Sequence, residues 1–249
     1  MKRVDSVISL IYSMSKAEKK AFSVQMLKDK EEKDYLVIYD IITKSKQLDS
    51  KNVKGEFHKR RPGGSFEVSI QYLYERLTDS LLTLRKKKDI YYDLLNNLCK
   101  ARMLYERSLF EECFEILSDT IEQATYYENN EVLTIALKLE LEYLLRLNFP
   151  NLAESELYHK HFMQNEALKK TRKIVEQSSL HNLLKYRLSH IGSIRTSKQK
   201  QDMNDLMVNE LSIAASSGIE GNFELMRNHR LFQANYLMGA GEYKAALNS

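Results

Sequence analysis

Apolar residues recur at helical spacing along almost the whole of this chain. Val4, Val7, Ile8 and Ile11 share one face and predict a helix over about 2–13. Ser15-Lys16-Ala17-Glu18 then matches the S-x-x-E capping box, in which the serine and glutamate side chains satisfy free amides at a helix start. A second helix is expected from there to about Leu27, followed by a charged connection over Lys28 to Lys33. Asp34 reads as the N-cap of a third helix carrying Leu36, Tyr39 and Ile42, with Ile38 and Ile41 beside them. The polar stretch Lys46 to Gly55 predicts a loop, with one short turn over 56–61. Arg61-Pro62-Gly63-Gly64 is the strongest breaker, and Ser65 caps a long helix from Phe66 to about Lys87.

After the basic run Arg85 to Lys88 the helices are expected in pairs. The first spans about 90–107 and 109–128. The second spans 131–147 and 151 to about 176, broken at Asn148-Phe149-Pro150 because proline is excluded from a helix interior. The third spans 178–194 and 200–216, joined near Arg195, and the last begins near Phe223 after breaks at Gly218 and Gly221. Two of these hairpins echo each other. Leu98, Ala101, Leu104, Ser108, Phe110 and Cys113 recur, at one constant offset, as Leu231, Ala234, Leu237, Gly241, Tyr243 and Ala246. Small residues fall where two helices would cross closely, and an aromatic fills the gap beside them. That is the signature of a helical repeat.

Three further clusters carry a resemblance. They are Ser15-Lys16-x-Glu18-Lys19-x-x-Phe22, then Tyr35-Leu36-x-x-Tyr39-Asp40-x-Ile42, then Phe66-x-Val68-x-x-x-Tyr72-Leu73-Tyr74-x-x-Leu77-x-x-Ser80-Leu81. In this combination the chain resembles a family of bacterial tetratricopeptide-like (TPR-like) proteins, whose N-terminal helical region precedes irregular helical repeats. The likeness covers the whole chain in layout. It implies a right-handed α-superhelix of antiparallel helix pairs and an interaction role, and it supplies no catalytic residue. Gly239 to Leu247 comes nearest the tetratricopeptide signature, whereas Ser108 replaces the usual turn glycine and Asn97 the usual large aromatic. The expected organisation is an all-α chain with a small helical unit or cap at 1–88 and repeats at 89–249. The last repeat is cut short at Ser249, so the chain is expected to be the N-terminal part of a longer protein.

Composition sharpens this picture. Only 8 Gly and 2 Pro occur, which suits an all-α chain with short connections, and 43% hydrophobic residues is too apolar for a disordered one. No apolar run reaches the roughly 18 residues of a membrane span. The run Val7 to Tyr12 is short and lacks a cleavage site, so it does not read as a signal peptide. Cys99 and Cys113 read as two buried free thiols in a reducing cytoplasm. Charge comes in blocks: 103–159 is strongly acidic and 160–200 basic, which reads as solvated faces setting long-range contacts.

Candidate chemistry is sparse. His159 and His161 lie two apart on a helix, so their rings diverge by roughly 200° and do not share an ion. Pro62-Gly63-Gly64-Ser65 lacks the glycine spacing and lysine of a phosphate loop, and no G-x-S-x-G elbow occurs. Glu111-Glu112 with Glu115, and Glu140 with Glu142, read as solvated faces; Met203, Met207 and Met226 read as plastic core. No metal, cofactor or catalytic residue is expected. The favoured function is a cytoplasmic scaffold holding a protein or peptide, with Asn97, Lys100, Arg230 and Gln233 as candidate contacts on the first helices of the first and last pairs. The alternative is a nucleic-acid-binding regulator whose basic cluster, Lys59, Arg60 and Arg61 above all, neutralises phosphates while the repeats act as a sensor. Glu67, Glu75 and Asp79 on the following helix oppose that alternative.

Overall fold

The computed structural model describes residues 2–26, 33–45, 49–86, 88–192, 194, 196–217 and 222–247. Among them every regular element is an α-helix, and none is long and apolar enough to cross a membrane. Most of the charged connection before Asp34, the turn at Arg195 and the break at Gly218 to Gly221 lie outside the described residues. The chain divides into two compact units, Met1–Asp93 and Leu94–Ser249, five residues beyond the division expected from sequence.

The first unit holds α1 (Lys2–Ser13), α2 (Lys16–Met26), α3 (Asp34–Lys44), α4 (Ser50–Arg60) and α5 (Phe66–Lys86). Its core gathers Val7, Ile11, Phe22, Ile38, Ile42, Leu73 and Leu77 around the crossing of α3 and α5. The capping box forms as expected. The Ser15 amide donates to Glu18 Oε2 at 2.8 Å, and the Glu18 amide donates to Ser15 Oγ at 3.2 Å. Asp34 is the first helical residue of α3 rather than its cap, which is Lys33. The larger correction is α4: a full helix stands where a polar loop and a short turn were expected. Val53 and Phe57, four apart, are both fully buried, and the Asp49 side chain caps the helix by accepting from the Asn52 amide at 2.8 Å. Two apolar anchors and one cap outweigh a polar composition. The turn after α4 needs its glycine, because a Cβ at Gly64 would lie 2.7 Å from an Asp34 carboxylate oxygen and 2.8 Å from the Phe57 ring.

The second unit takes in most of α6 (Ile90–Glu106), then α7 (Phe110–Tyr126), α8 (Asn130–Arg146), α9 (Glu154–Ile191), α10 (Ser197–Ser217), α11 (Phe223–Gly239) and α12 (Tyr243–Ala246). Helices α6, α7, α8 and α11 are each 17 residues long and end in one and the same way. Ser108, Glu128, Asn148 and Gly241 follow them with φ of 60°, 54°, 58° and 80°. In each case the next amide reaches back to a carbonyl in the last turn: Leu109 to Leu104, Asn129 to Ala124, Phe149 to Leu144 and Glu242 to Leu237. These are Schellman closures, which satisfy the orphan carbonyls and fold the chain back. Helix α8 packs against α7 and α9, and α9 against α10 and α11.

Two expectations fail here. No break separates 176 from 178: α9 is one helix of 38 residues, because Glu176-Gln177-Ser178-Ser179 holds neither Gly nor Pro and Gln177 is buried against α10. The second and third pairs therefore share a single long helix. The echoed ladder also agrees in its turns but not in its burial. Leu98, Ala101 and Cys113 are buried, whereas Leu231 is 44% and Tyr243 67% exposed. Helix α11 instead buries Leu225, Asn228, Phe232 and Asn235, a stripe turned by one residue, or about 100°. That stripe packs on α9, where Gly239 lets the backbone approach Leu188; a Cβ there would meet the leucine at 2.6 Å.

Candidate functional site

The site is built on α8. Leu133, Leu137, Glu140 and Leu144 fall on one helical stripe, so the carboxylate of Glu140 is carried into the apolar seam and is only 6% exposed. Glu142, two residues on, turns outward and pairs with Arg146. The sequence reading that placed both on a solvated face is therefore corrected for Glu140. Lys160 of α9 donates to Glu140 Oε1 at 2.8 Å, and its side chain is 25% exposed. Glu140 Oε2 is buried and has no hydrogen-bond partner among the described residues. Burying a carboxylate costs several kcal/mol unless it is paired and its lone pairs are filled. Here one oxygen is served and the other is not.

Glu140 and Lys160 line a cleft of about 510 Å³ between α7, α8 and α9. Its apolar surface comes from Ile121, Leu137, Leu144, Leu152 and Met163, and its rim from Ser155, Glu156 and His159. A second, broader cleft of about 900 Å³ shares Ile121 and Met163 with it and extends along α7 to the exposed pair Tyr126 and Tyr127, whose rings meet edge-to-face at 5.0 Å. The two clefts adjoin at these two shared residues and are together called the groove below. Together their linings carry four carboxylates, Glu140 and Glu156 in the first and Asp119 and Glu122 in the second, and one ammonium, that of Lys160 in the first. The sequence blocks explain this charge: α7 and α8 belong to the acidic block, and Lys160 opens the basic one.

The four residues chosen from sequence lie elsewhere. Lys100 donates to Asn97 at 3.1 Å on α6, so these two hold each other; Arg230 is exposed and Gln233 half-buried on α11. Neither pair lines the groove. The signal that finds Glu140 was present in the sequence, as the one polar residue on the leucine stripe of α8. Lys160, on another helix, has no comparable signal.

The basic cluster of the first unit is engaged by carboxylates. Lys59 pairs with Glu56 at 2.6 Å, Arg60 with Asp40 at 3.0 Å and Arg61 with Asp34 at 3.6 Å. The hydrogen bond from Lys59 holds the Glu56 carboxyl below the usual range. Burial pushes Asp40 up, but the hydrogen bonds from Lys44 and Arg60 together bring it below its ordinary value. A phosphate would have to compete with each of these acids.

Other chemistry is structural in character. Cys113 is buried, and burial raises its thiol, but Cys99 is exposed, contrary to the expectation of two buried thiols. Tyr143 stacks on Tyr105 at 3.8 Å, and burial raises its phenol too. Glu210, fully buried on α10, is bonded by His229 of α11 and by Gln177 of α9 at 3.4 Å, a polar knot inside the packing of three helices. Met203 is fully buried and Met207 packs beside it, as core. Among the described residues no three His, Cys, Asp or Glu side chains are grouped to hold a metal ion. No protein family, curated protein or solved structure matches this chain, so its likeness to tetratricopeptide-like proteins rests on the residues quoted above.

Proposed function

We propose that this chain is a protein-interaction scaffold, a right-handed α-superhelix of TPR-like helix pairs, and that it binds a peptide segment of another protein in the α7–α9 groove. Recognition rather than bond-making is its role. One observation carries the reading: a buried carboxylate with an unsatisfied oxygen lines an apolar cleft that continues into an acidic, tyrosine-edged one. Grooves that hold peptides combine such apolar seats with a few oriented polar groups. The repeated Schellman turns support a repeat scaffold, and the exposed free thiol of Cys99 suits a reducing compartment. The groove replaces Asn97, Lys100, Arg230 and Gln233 as the proposed contact surface.

The test is a titration of the full chain against an array of randomised nonapeptides, with Ser155→Trp as the blocked control. Ser155 is exposed at the rim, so the indole fills the cleft without entering the core. Binding that this substitution abolishes supports the proposal. Peptide binding unaffected by it moves the site elsewhere, and no binding by any peptide pool removes the proposal.

A further inference from the structure

Resting on that peptide-binding reading, we infer that the bound segment is recognised through an arginine, whose guanidinium is received by Glu140 while the ammonium of Lys160 withdraws toward solvent. The carboxylate is half served: Oε1 has Lys160 at 2.8 Å, and Oε2 has no partner among the described residues. A compact ammonium gives Glu140 a single contact here. A guanidinium presents a planar fork that matches both oxygens of one carboxylate, and it sheds water more easily than an ammonium. Lys160 can swing outward once a second cation serves Glu140, because its side chain is already a quarter exposed. The exchange therefore swaps one hydrogen bond for two and returns a strongly hydrated ammonium to water.

The rest of the groove agrees in sign. Its four carboxylates against one ammonium favour a cationic guest and repel an acidic one. Tyr126 and Tyr127 offer aromatic faces to a second cation further along the segment. Ile121 and Met163, common to both clefts, seat an apolar residue between the two.

The probe is a set of nonapeptide pools, each fixed at its centre to one amino acid and randomised elsewhere, followed by anisotropy of the strongest single sequence. Arginine-centred pools are expected to lead and lysine-centred pools to trail. Replacing that arginine by citrulline, its neutral isostere, is expected to weaken binding at least about tenfold, as is Glu140→Gln in the protein. Lys160→Met, which removes the competing ammonium, is expected to tighten binding by about threefold. Selected peptides that bind without preference for arginine, or binding that Lys160→Met weakens, overturn this inference and leave the peptide-binding proposal standing. Failure of every pool ends both. If Glu140→Gln proves misfolded by circular dichroism, the citrulline comparison on the unaltered protein decides.

Discussion

Lys160→Met is the most informative single change for stability, because it isolates the buried pair at the α8–α9 contact. Methionine keeps the length and apolar stem of lysine but removes the one cation paired with Glu140 among the described residues. Breaking a fully buried ion pair typically costs about 3–5 kcal/mol, since the remaining charge is left uncompensated. Lys160 is a quarter exposed, so solvent reaches the pair and screens it. The expected loss is therefore smaller, about 2 kcal/mol, or roughly a 30-fold shift in the local opening equilibrium. Hydrogen exchange read by mass spectrometry measures this directly on α8 amides near Glu140, without requiring both units to unfold together. The double substitution Glu140→Leu with Lys160→Met replaces the pair by apolar groups and is expected to recover most of the loss. Protection in Lys160→Met within twofold of the unaltered protein would refute the reasoning, because the carboxylate would then not be buried at its expense.

Three more outcomes follow from the helix ends and the first core. Ser108→Gly places a glycine at a left-handed position with φ of 60° and is expected to stabilise the α6–α7 turn by about 0.5–1 kcal/mol, seen as a higher melting temperature. Phe57→Ala is expected to destabilise the first unit by about 3–5 kcal/mol in denaturant melts; a loss below about 1 kcal/mol would mean that α4 is not packed as described. The backbone hydrogen bond at Ser15 holds the Glu18 carboxyl below its ordinary value of 4.5. A carboxyl lowered on folding contributes stability above that ordinary value and loses it as pH falls through the lowered one. Protection factors of α2 amides, which correct for the intrinsic slowing of exchange in acid, are thus expected to fall as pH drops below about 4.5, and Glu18→Gln is expected to flatten that fall.

Much of the helical layout was legible, for physical reasons that particular residues make plain. The capping box at Ser15 and Glu18 is a local device, complete within four residues, and it formed as expected. Pro150 and the left-handed turns at Ser108, Asn148 and Gly241 are local as well. Polar composition hid α4, because only Val53 and Phe57 announce it and their burial depends on other helices. The continuity of α9 was hidden for the opposite reason, since a polar stretch with no breaker is held helical by contacts to α8, α10 and α11. Equal spacing in the two ladders shows a shared turn but not a shared packing face, as exposed Leu231 against buried Leu98 demonstrates. The groove was the least legible feature, because it needs Glu140, Lys160 and Ile121 from three helices to meet.

The most direct measurement is hydrogen exchange of the full chain with and without the strongest nonapeptide from the pools. Peptide docked between α7, α8 and α9 predicts new protection in α7 towards Tyr126, in α8 around Glu140 and in α9 from Glu154 to Met163, with α6 and α11 unchanged. Protection falling instead on α6 at Asn97 and Lys100 or on α11 at Arg230 and Gln233, or none at all at saturating peptide, would contradict it.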